Sequence, residues 1–147
     1  MAATTIDDLV YVVDENLLRL GKGIVAIRPD TARFTEDPIA DLLTPGIGDL
    51  EWIPIVGKRG WVVITNDRRI RTRPTEAKLA IEHRLKVIHL QGKIGHGSAW
   101  EQLTRLTARW EAIETHAARH REGPWWLSVR RTSLVAMRYE PGKPERG

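Results

Sequence analysis

The sequence predicts an α/β fold: a three-layer sandwich with a mainly parallel central sheet and an antiparallel pair of strands at the end of the chain. Near-continuous apolar runs at residues 8–13, 61–65 and 85–90 are typical of strands covered on both faces. They alternate with helical patterns, which favours a parallel sheet with helices on both sides. The last two runs, 125–129 and 134–139, predict the closing strand pair.

The first half of the chain predicts two strands and a brief helix. Residues 8–13 form the first strand, which stops at polar residues 14–16. The apolar residues 23–27 predict a second strand. Asp37 is an expected N-cap and Pro38 an expected first helical residue, so a short helix is predicted through Leu43.

The middle of the chain predicts a helix, a strand and a basic loop. Because proline lacks the N–H that a helix interior needs, the helix containing Pro54 is expected to start near Trp52, with Asp49 in the entering loop or cap. It ends at the glycines of residues 57–60. Residues 61–65 are the clearest strand, and residues 68–73 form the basic loop.

The second half predicts two further helices. Pro74 starts one that runs to about residue 84, and residues 85–90 form the next strand. Ser98 and Glu101 match a capping box at the start of one long helix, which ends before Gly123. Its apolar positions recur every three or four residues and predict a buried stripe of Trp100, Leu103, Leu106, Trp110, Ile113 and Ala117.

Composition limits the possible classes of protein. The 147 residues predict a single domain over residues 1–140, followed by a flexible tail at residues 141–147. The absence of cysteine excludes disulfide scaffolds, thiolate metal sites and a thiol nucleophile. No run is long enough for a membrane span and no secretory signal is visible, so a cytoplasmic protein is expected. The net charge of +4 is compatible with a polyanionic partner.

Three aspartates are predicted to lie at the carboxyl end of the sheet. Asp14 follows the first predicted strand, Asp67 follows the strand at 61–65, and Asp49 precedes the helix that leads to that strand. Clustered carboxylates repel each other, and Mg²⁺ or Mn²⁺ relieves the repulsion. Glu15 and Glu51 are alternative ligands. The alternative role for each acid is a turn former or helix cap.

Four arginines, Arg68, Arg69, Arg71 and Arg73, directly follow Asp67. Guanidinium groups bind phosphate oxygens in a bidentate manner, so the segment is a candidate track for a nucleic-acid backbone; the alternative is a solvated basic loop. The glycine-rich residues 92–98 favour a flexible turn over a phosphate loop. His116 and His120 favour a solvated helix face over a metal site, and Trp125 and Trp126 favour a core strand over base stacking.

The segment DLEWIPIVGKRGWVVITNDRRIRTR at residues 49–73, with the following PTE and with Asp14 in VVDENLLRLGKG, resembles the PIN-like domain family, and more closely its VapC-type toxins of bacterial toxin–antitoxin pairs. The resemblance covers roughly residues 9–140. It implies Mg²⁺- or Mn²⁺-dependent cleavage of RNA, a homodimer, and inhibition by a cognate antitoxin protein.

The resemblance also implies roles for individual residues. Asp14 and Asp67 match the first and last metal-binding acids, and Asp49 matches the middle one, with Glu51 near enough to share or replace it. Thr65 matches the small polar residue before the last acid and is grouped with the arginines as substrate-binding. No fourth acid is found after Asp67, which leaves open a one-metal site or a non-catalytic RNA- or protein-binding module. A signalling receiver domain, with Asp14, Glu15 and Asp67 in comparable places, is a further alternative.

Overall fold

A computed structural model describes residues 5–143, in which six strands form one sheet with helices on both faces. The strands are β1 (Tyr11–Val13), β2 (Thr31–Arg33), β3 (Val62–Thr65), β4 (Lys86–Leu90), β5 (Trp125–Val129) and β6 (Leu134–Met137). Their order is β2-β1-β3-β4-β5-β6. All neighbours are parallel except β5 and β6, which are antiparallel. The predicted fold class is therefore confirmed.

Seven helices cover the sheet within the described residues. They are α1 (Leu18–Ile27), α2 (Asp49–Arg59), α3 (Arg69–Thr72), α4 (Pro74–Glu82), α5 (Gly92–Gly95), α6 (Ala99–Ala108) and α7 (Trp110–Arg119), and a 3₁₀ turn at Ile6–Asp8 precedes β1. Buried residues of α2, α3 and α4 pack on one face of the sheet. Those of α1, α5, α6 and α7 pack on the other, so the two apolar cores make three layers.

The predicted strand at residues 23–27 is wrong, because these residues form the second half of α1. The buried positions of this helix lie on one side: Leu20, Gly21 and Ile24 are buried, whereas Ile27 is largely exposed. One-sided burial of this kind is typical of a helix. The actual second strand, β2, is a three-residue segment containing Thr31 and Arg33, too short and too polar to show as an apolar run.

Two predicted helix starts also differ from the structure. Residues 35–43 form turns with isolated i→i+3 bonds, such as Ile39 N–H to the Glu36 carbonyl, and no continuous helix, although Ile39 and Leu43 are buried. Helix α2 begins at Asp49 and contains Pro54 in its interior. Burial of Trp52 and its neighbours Ile53 and Val56 against the sheet offsets the hydrogen bond that the proline removes.

The long helix predicted after Ser98 is two helices, α6 and α7, divided at Arg109. Ser98 caps α6 as predicted, since its Oγ accepts the N–H of Glu101 at 3.1 Å. The predicted stripe is buried around Leu106 and Ile113. Trp100, at its first turn, is 77% exposed, because it precedes the part of α6 that reaches the apolar core.

The chain after β6 returns to α3. The backbone N–H of Glu140 donates to the Arg71 carbonyl at 3.0 Å, and that of Gly142 donates to the Thr72 carbonyl at 2.7 Å. The predicted tail at residues 141–147 is thus attached at its start, and its last four residues lie outside the described part of the chain. No helix in residues 5–143 has both the length and the apolar character that crossing a membrane requires.

Candidate active site

Asp14 is the most buried of the predicted acids and lies directly after β1, at the carboxyl end of the sheet. Its side chain is 8% exposed. Burial raises the pKa of the Asp14 carboxyl to about 6 against the lowering effect of a hydrogen bond from Thr65, and the negative charges of Asp49 and Asp67 raise the pKa further. The fold therefore places Asp14 within the electrostatic field of Asp49 and Asp67.

Thr65, the last residue of β3, connects the first and third acids. Its hydroxyl donates to Oδ2 of Asp14 at 2.8 Å and accepts the backbone N–H of Asp67 at 3.0 Å. The residue is fully buried, with no side chain surface left for solvent. This geometry makes Thr65 a positioning residue for the acids, rather than the substrate-contacting residue that the resemblance implies.

Asp67 already has a cationic partner in the structure. The guanidinium of Arg69 donates from Nε to Oδ1 at 3.0 Å and from its Nη2 to Oδ2 at 3.2 Å, and the Arg69 backbone N–H also donates to Oδ1. Burial alone would raise the pKa of Asp67. The hydrogen bonds and charge of Arg69 outweigh burial, so the pKa of Asp67 lies below its usual value.

Of the two candidate middle acids, Asp49 rather than Glu51 has a charge that raises the pKa of Asp14. Asp49 is the first residue of α2, and its Oδ1 accepts the indole N–H of Trp52 at 2.9 Å. Glu51 is exposed, and its charge is absent from the interactions that raise the pKa of Asp14. Glu15 accepts the backbone N–H of Gly46 at 3.2 Å. Asp49 is therefore the middle acid that the electrostatics favour.

The acids do not form a closed metal cage. Within residues 5–143, no three histidine, aspartate or glutamate side chains converge in an arrangement that holds one metal ion directly. Such a cage is not required for Mg²⁺, which usually keeps several waters and takes one or two carboxylates together with substrate phosphates. A buried carboxyl with a raised pKa beside two further carboxylates is a site that a hard divalent cation stabilises.

The predicted arginines all interact with other groups of the protein. Arg69 pairs with Asp67, as described above. Arg71 donates to the Arg138 carbonyl at 2.8 Å, and Arg73 lies 4.0 Å from a carboxylate oxygen of Glu76. The predicted basic loop contains the short helix α3, which is anchored by buried Ile70. The segment is thus an ordered part of the carboxyl end of the sheet.

Asp14 is the first of four polar residues that lie side by side across the sheet. Thr65, His89 and Ser128 occupy matched positions on the neighbouring strands β3, β4 and β5, and all lie on the face that α2 and α4 cover. We call Asp14, Thr65, His89 and Ser128 the polar row. Its β4–β5 half opens into a cleft of about 660 Å³, whose lining includes Asp67, His89 and Ser128.

His89 is a residue that the sequence did not identify as part of this region. It is 5% exposed, and burial lowers the pKa of its imidazole to about 4. Its Nε2 lies 3.3 Å from the Asn66 carbonyl oxygen, and its ring lies 5.0 Å from that of Trp126. The available signal was a titratable side chain between the apolar residues Ile88 and Leu90, one residue from the end of the strand.

The other motifs of the sequence take structural roles. The glycine-rich residues 92–98 contain α5, and an added Cβ at Gly95 would lie 2.4 Å from the Leu90 carbonyl oxygen, so this glycine permits close packing. The rings of His116 and His120 lie 4.5 Å apart on the far side of the molecule, where β5 begins. Trp126 is buried in the core, as expected.

Comparison with known proteins agrees with this architecture. Neither the curated proteins nor the solved structures contain a significant match to the chain. A family model described as "PIN like domain" matches residues 9–92, which include Asp14, Asp49, Thr65, Asp67 and His89. The match covers more than half of the 147 residues and extends from the approach to β1 to the start of α5. The chain therefore belongs to the PIN-like domain family.

Proposed function

We propose that the protein is a ribonuclease that depends on Mg²⁺ or Mn²⁺ and acts as a toxin of the VapC type. The observation that carries the proposal is Asp14, a carboxyl buried at the carboxyl end of the sheet within the field of Asp49 and Asp67. Carboxyls with strongly perturbed pKa values are typical of catalytic sites, and the neighbouring acid Asp67 lines a cleft. Membership of a family that generally covers nucleases supports the same chemistry.

Asp14 would hold the metal ion together with Asp49 or Asp67, and waters and substrate phosphates would complete its coordination. Bound there, Mg²⁺ or Mn²⁺ would polarise a phosphoryl oxygen and lower the pKa of a bound water that attacks phosphorus. Thr65 keeps the Asp14 carboxylate oriented and ties Asp67 to the same hydroxyl. Arg69 and the neighbouring arginines supply positive charge beside the acids, where they would contact the RNA backbone without reading its sequence.

The toxin assignment adds protein partners to the proposal: a second copy of the chain and an antitoxin. The first turns of α1, α2 and α6, which follow the carboxyl ends of the strands, carry the exposed apolar side chains Leu18, Leu50 and Trp100. Exposed apolar side chains around a charged site suit a protein that covers it. Copurification with the product of the neighbouring gene and size-exclusion chromatography test these two partners.

The decisive experiment is cleavage of single-stranded and looped RNA with Mg²⁺ or Mn²⁺ by the wild type, Asp14→Asn and Asp67→Asn. We expect metal-dependent cleavage that both variants lose. Asp7→Asn is the matched control, because Asp7 is an exposed acid that precedes β1 at the opposite end of the strand. Equal cleavage by wild type and Asp14→Asn would show that the activity belongs to a contaminant.

A second candidate function is a non-catalytic module that binds RNA or a protein. The pairing of Asp67 with Arg69 favours it, because that ion pair satisfies the last acid without a metal. Failure of every RNA class to be cut, combined with RNA binding that is equal in wild type and Asp14→Asn, would support this alternative.

A further inference from the structure

The cleft beside Asp67 has the size and lining of a ligand site. Its volume of about 660 Å³ falls within the range of about 300–1,000 Å³ that is usual for small-molecule pockets. Its wall includes Asn66, Asp67, Arg71, His89, Gln91 and Ser128. The same wall thus carries one of the candidate catalytic acids, a cation and several neutral donors and acceptors.

His89 gives the cleft a flat, uncharged inner wall. Its Nε2 faces the Asn66 carbonyl, which only accepts hydrogen bonds, so Nε2 carries the proton and Nδ1 carries a lone pair. The ring packs on Trp126 with an interplanar angle of 36°, and Trp126 also lines the cleft. Two adjacent ring systems with a hydrogen-bond acceptor match a planar, polar heterocycle better than an aliphatic ligand.

The cleft reaches the candidate acids at Asp67, and the polar row leads from His89 in its wall to Thr65 and Asp14. His89 lies on β4, two strands away from the strand that Asp14 follows, which is about 10 Å at the usual spacing of strands. Arg68, Arg69 and Arg71 also line the cleft on the side of Asp67. A phosphate beside the acids and arginines would therefore leave its attached base next to His89 and Ser128.

We propose that this cleft binds one unstacked nucleobase of the RNA strand, next to the phosphate that is cut. The proposal rests on the proposed ribonuclease function and adds a recognition site to it. Neutral His89, Gln91 and Ser128 offer hydrogen bonds to the edge of a base, and Trp126 supports the ring wall. Sequence-specific recognition of RNA commonly uses bases that are removed from the stack in this way.

Binding of the four nucleoside 5′-monophosphates to the full-length chain, in buffer with EDTA, tests the cleft without catalysis. The probe is the indole resonance of Trp126 in protein with ¹⁵N-labelled tryptophan. We expect one of the four nucleotides to shift the Trp126 resonance. This nucleotide should bind roughly fivefold more tightly than the weakest-binding one, as one or two hydrogen bonds to the base would give. Gln91→Ala and His89→Phe should remove this preference, and His120→Phe, an exposed histidine before β5, should retain it.

The outcomes separate the cleft from the proposed function. Asp14→Asn should abolish cleavage and still bind the preferred nucleotide, and Gln91→Ala should change the base preference at the cut site. RNA cleavage with no response of Trp126 to any nucleotide, and with an unchanged cut site in Gln91→Ala, would overturn the cleft and leave the ribonuclease intact. Nucleotide binding without cleavage of any RNA would support the cleft and refute the ribonuclease. Gln91 is exposed, so its variant remains informative if His89→Phe fails to fold.

Discussion

Thr65 holds Asp14 through a hydrogen bond of 2.8 Å from its hydroxyl to Oδ2 of the carboxylate. Asp14 directly follows β1 and Thr65 ends the neighbouring parallel strand β3, so the bond spans one strand spacing at the carboxyl end of the sheet. Because the same hydroxyl accepts the Asp67 N–H, one buried side chain sets the positions of the first and the last acid. Thr65 therefore links the rigid sheet to the candidate active site.

Thr65→Val should impair cleavage although Thr65 does not reach the solvent. The variant keeps the shape of the side chain and removes the hydroxyl, and loss of a residue that orients a metal ligand typically costs 10–100-fold in metal affinity or activity. Thr65→Ser should recover most of the loss. Mn²⁺ affinity, kcat and KM measured for both variants check this, and equal behaviour of Val and Ser would contradict it.

Asp14→Asn should stabilise the protein above pH 7 in the absence of divalent metal. The pKa of Asp14 is raised to about 6, so the ionised carboxylate destabilises the folded state at neutral pH. Removal of the charge should raise the free energy of unfolding by about 1–3 kcal/mol at pH 8. Urea denaturation in EDTA measures it. Asp7→Asn should leave the free energy of unfolding unchanged. An Asp14→Asn protein less stable than wild type at pH 8 would contradict a destabilising effect of the buried charge.

Asp14 and His89 should give stability opposite dependences on pH. Because the pKa of Asp14 is raised, the folded state binds more protons than the unfolded state between about pH 4 and 6. The contribution of Asp14 to the free energy of unfolding therefore falls as the pH rises through that window. The lowered pKa of His89, about 4, makes the unfolded state bind more protons up to about pH 6.5, so stability rises with pH.

Single variants should separate the two effects. In Asp14→Asn, stability should rise with pH between about 4 and 6.5, and in His89→Phe it should fall. The wild type should be nearly flat, because the two contributions have opposite signs. Urea denaturation at half-unit intervals of pH checks this, and the same slope in all three proteins would contradict the opposite titrations.

Arg69→Gln should increase the affinity for Mn²⁺. The guanidinium occupies both oxygens of Asp67, and a metal ion competes with it for the same carboxylate. Because Arg69 is about half-exposed, the gain should be modest, about two- to fivefold. Titration with Mn²⁺ followed by electron paramagnetic resonance measures it. Arg84→Gln is the control, because Arg84 forms an exposed ion pair with Glu122 outside the site. Weaker Mn²⁺ binding by Arg69→Gln would contradict competition.

Trp110 and Trp100 should differ in their effect on stability. Trp110 packs on Tyr11 with ring centroids 4.8 Å apart, and the guanidinium of Arg28 lies 4.7 Å from its ring. Trp110→Ala should therefore lower the free energy of unfolding by about 3 kcal/mol. Trp100→Ala should change it by less than about 0.5 kcal/mol, as for most surface substitutions. Thermal or urea unfolding distinguishes them, and equal losses would contradict the exposed position of Trp100.

The layered α/β fold was predictable because burial on both faces leaves near-continuous apolar runs, as at Val62–Thr65 and Lys86–Leu90. The same kind of apolar run gave a wrong strand prediction at residues 23–27, which form part of α1. No apolar run marks β2, because this strand is short and polar. Pairing with β1 rather than apolar content makes Thr31–Arg33 a strand. Local composition therefore determined most elements, and long-range pairing decided the exceptions.

The acids were recognisable from the sequence because carboxylates directly after strands of a parallel sheet point to its carboxyl end. What each acid does there was decided only by tertiary structure. Burial raises the pKa of Asp14, and Arg69 neutralises the charge of Asp67. The pairing of β3 with β4 places His89 beside Thr65, and no local sequence pattern encodes that pairing. Hydrogen bonds and electrostatic fields depend on distances between residues remote in the chain, so the residue types came from the sequence and their chemical states from the fold.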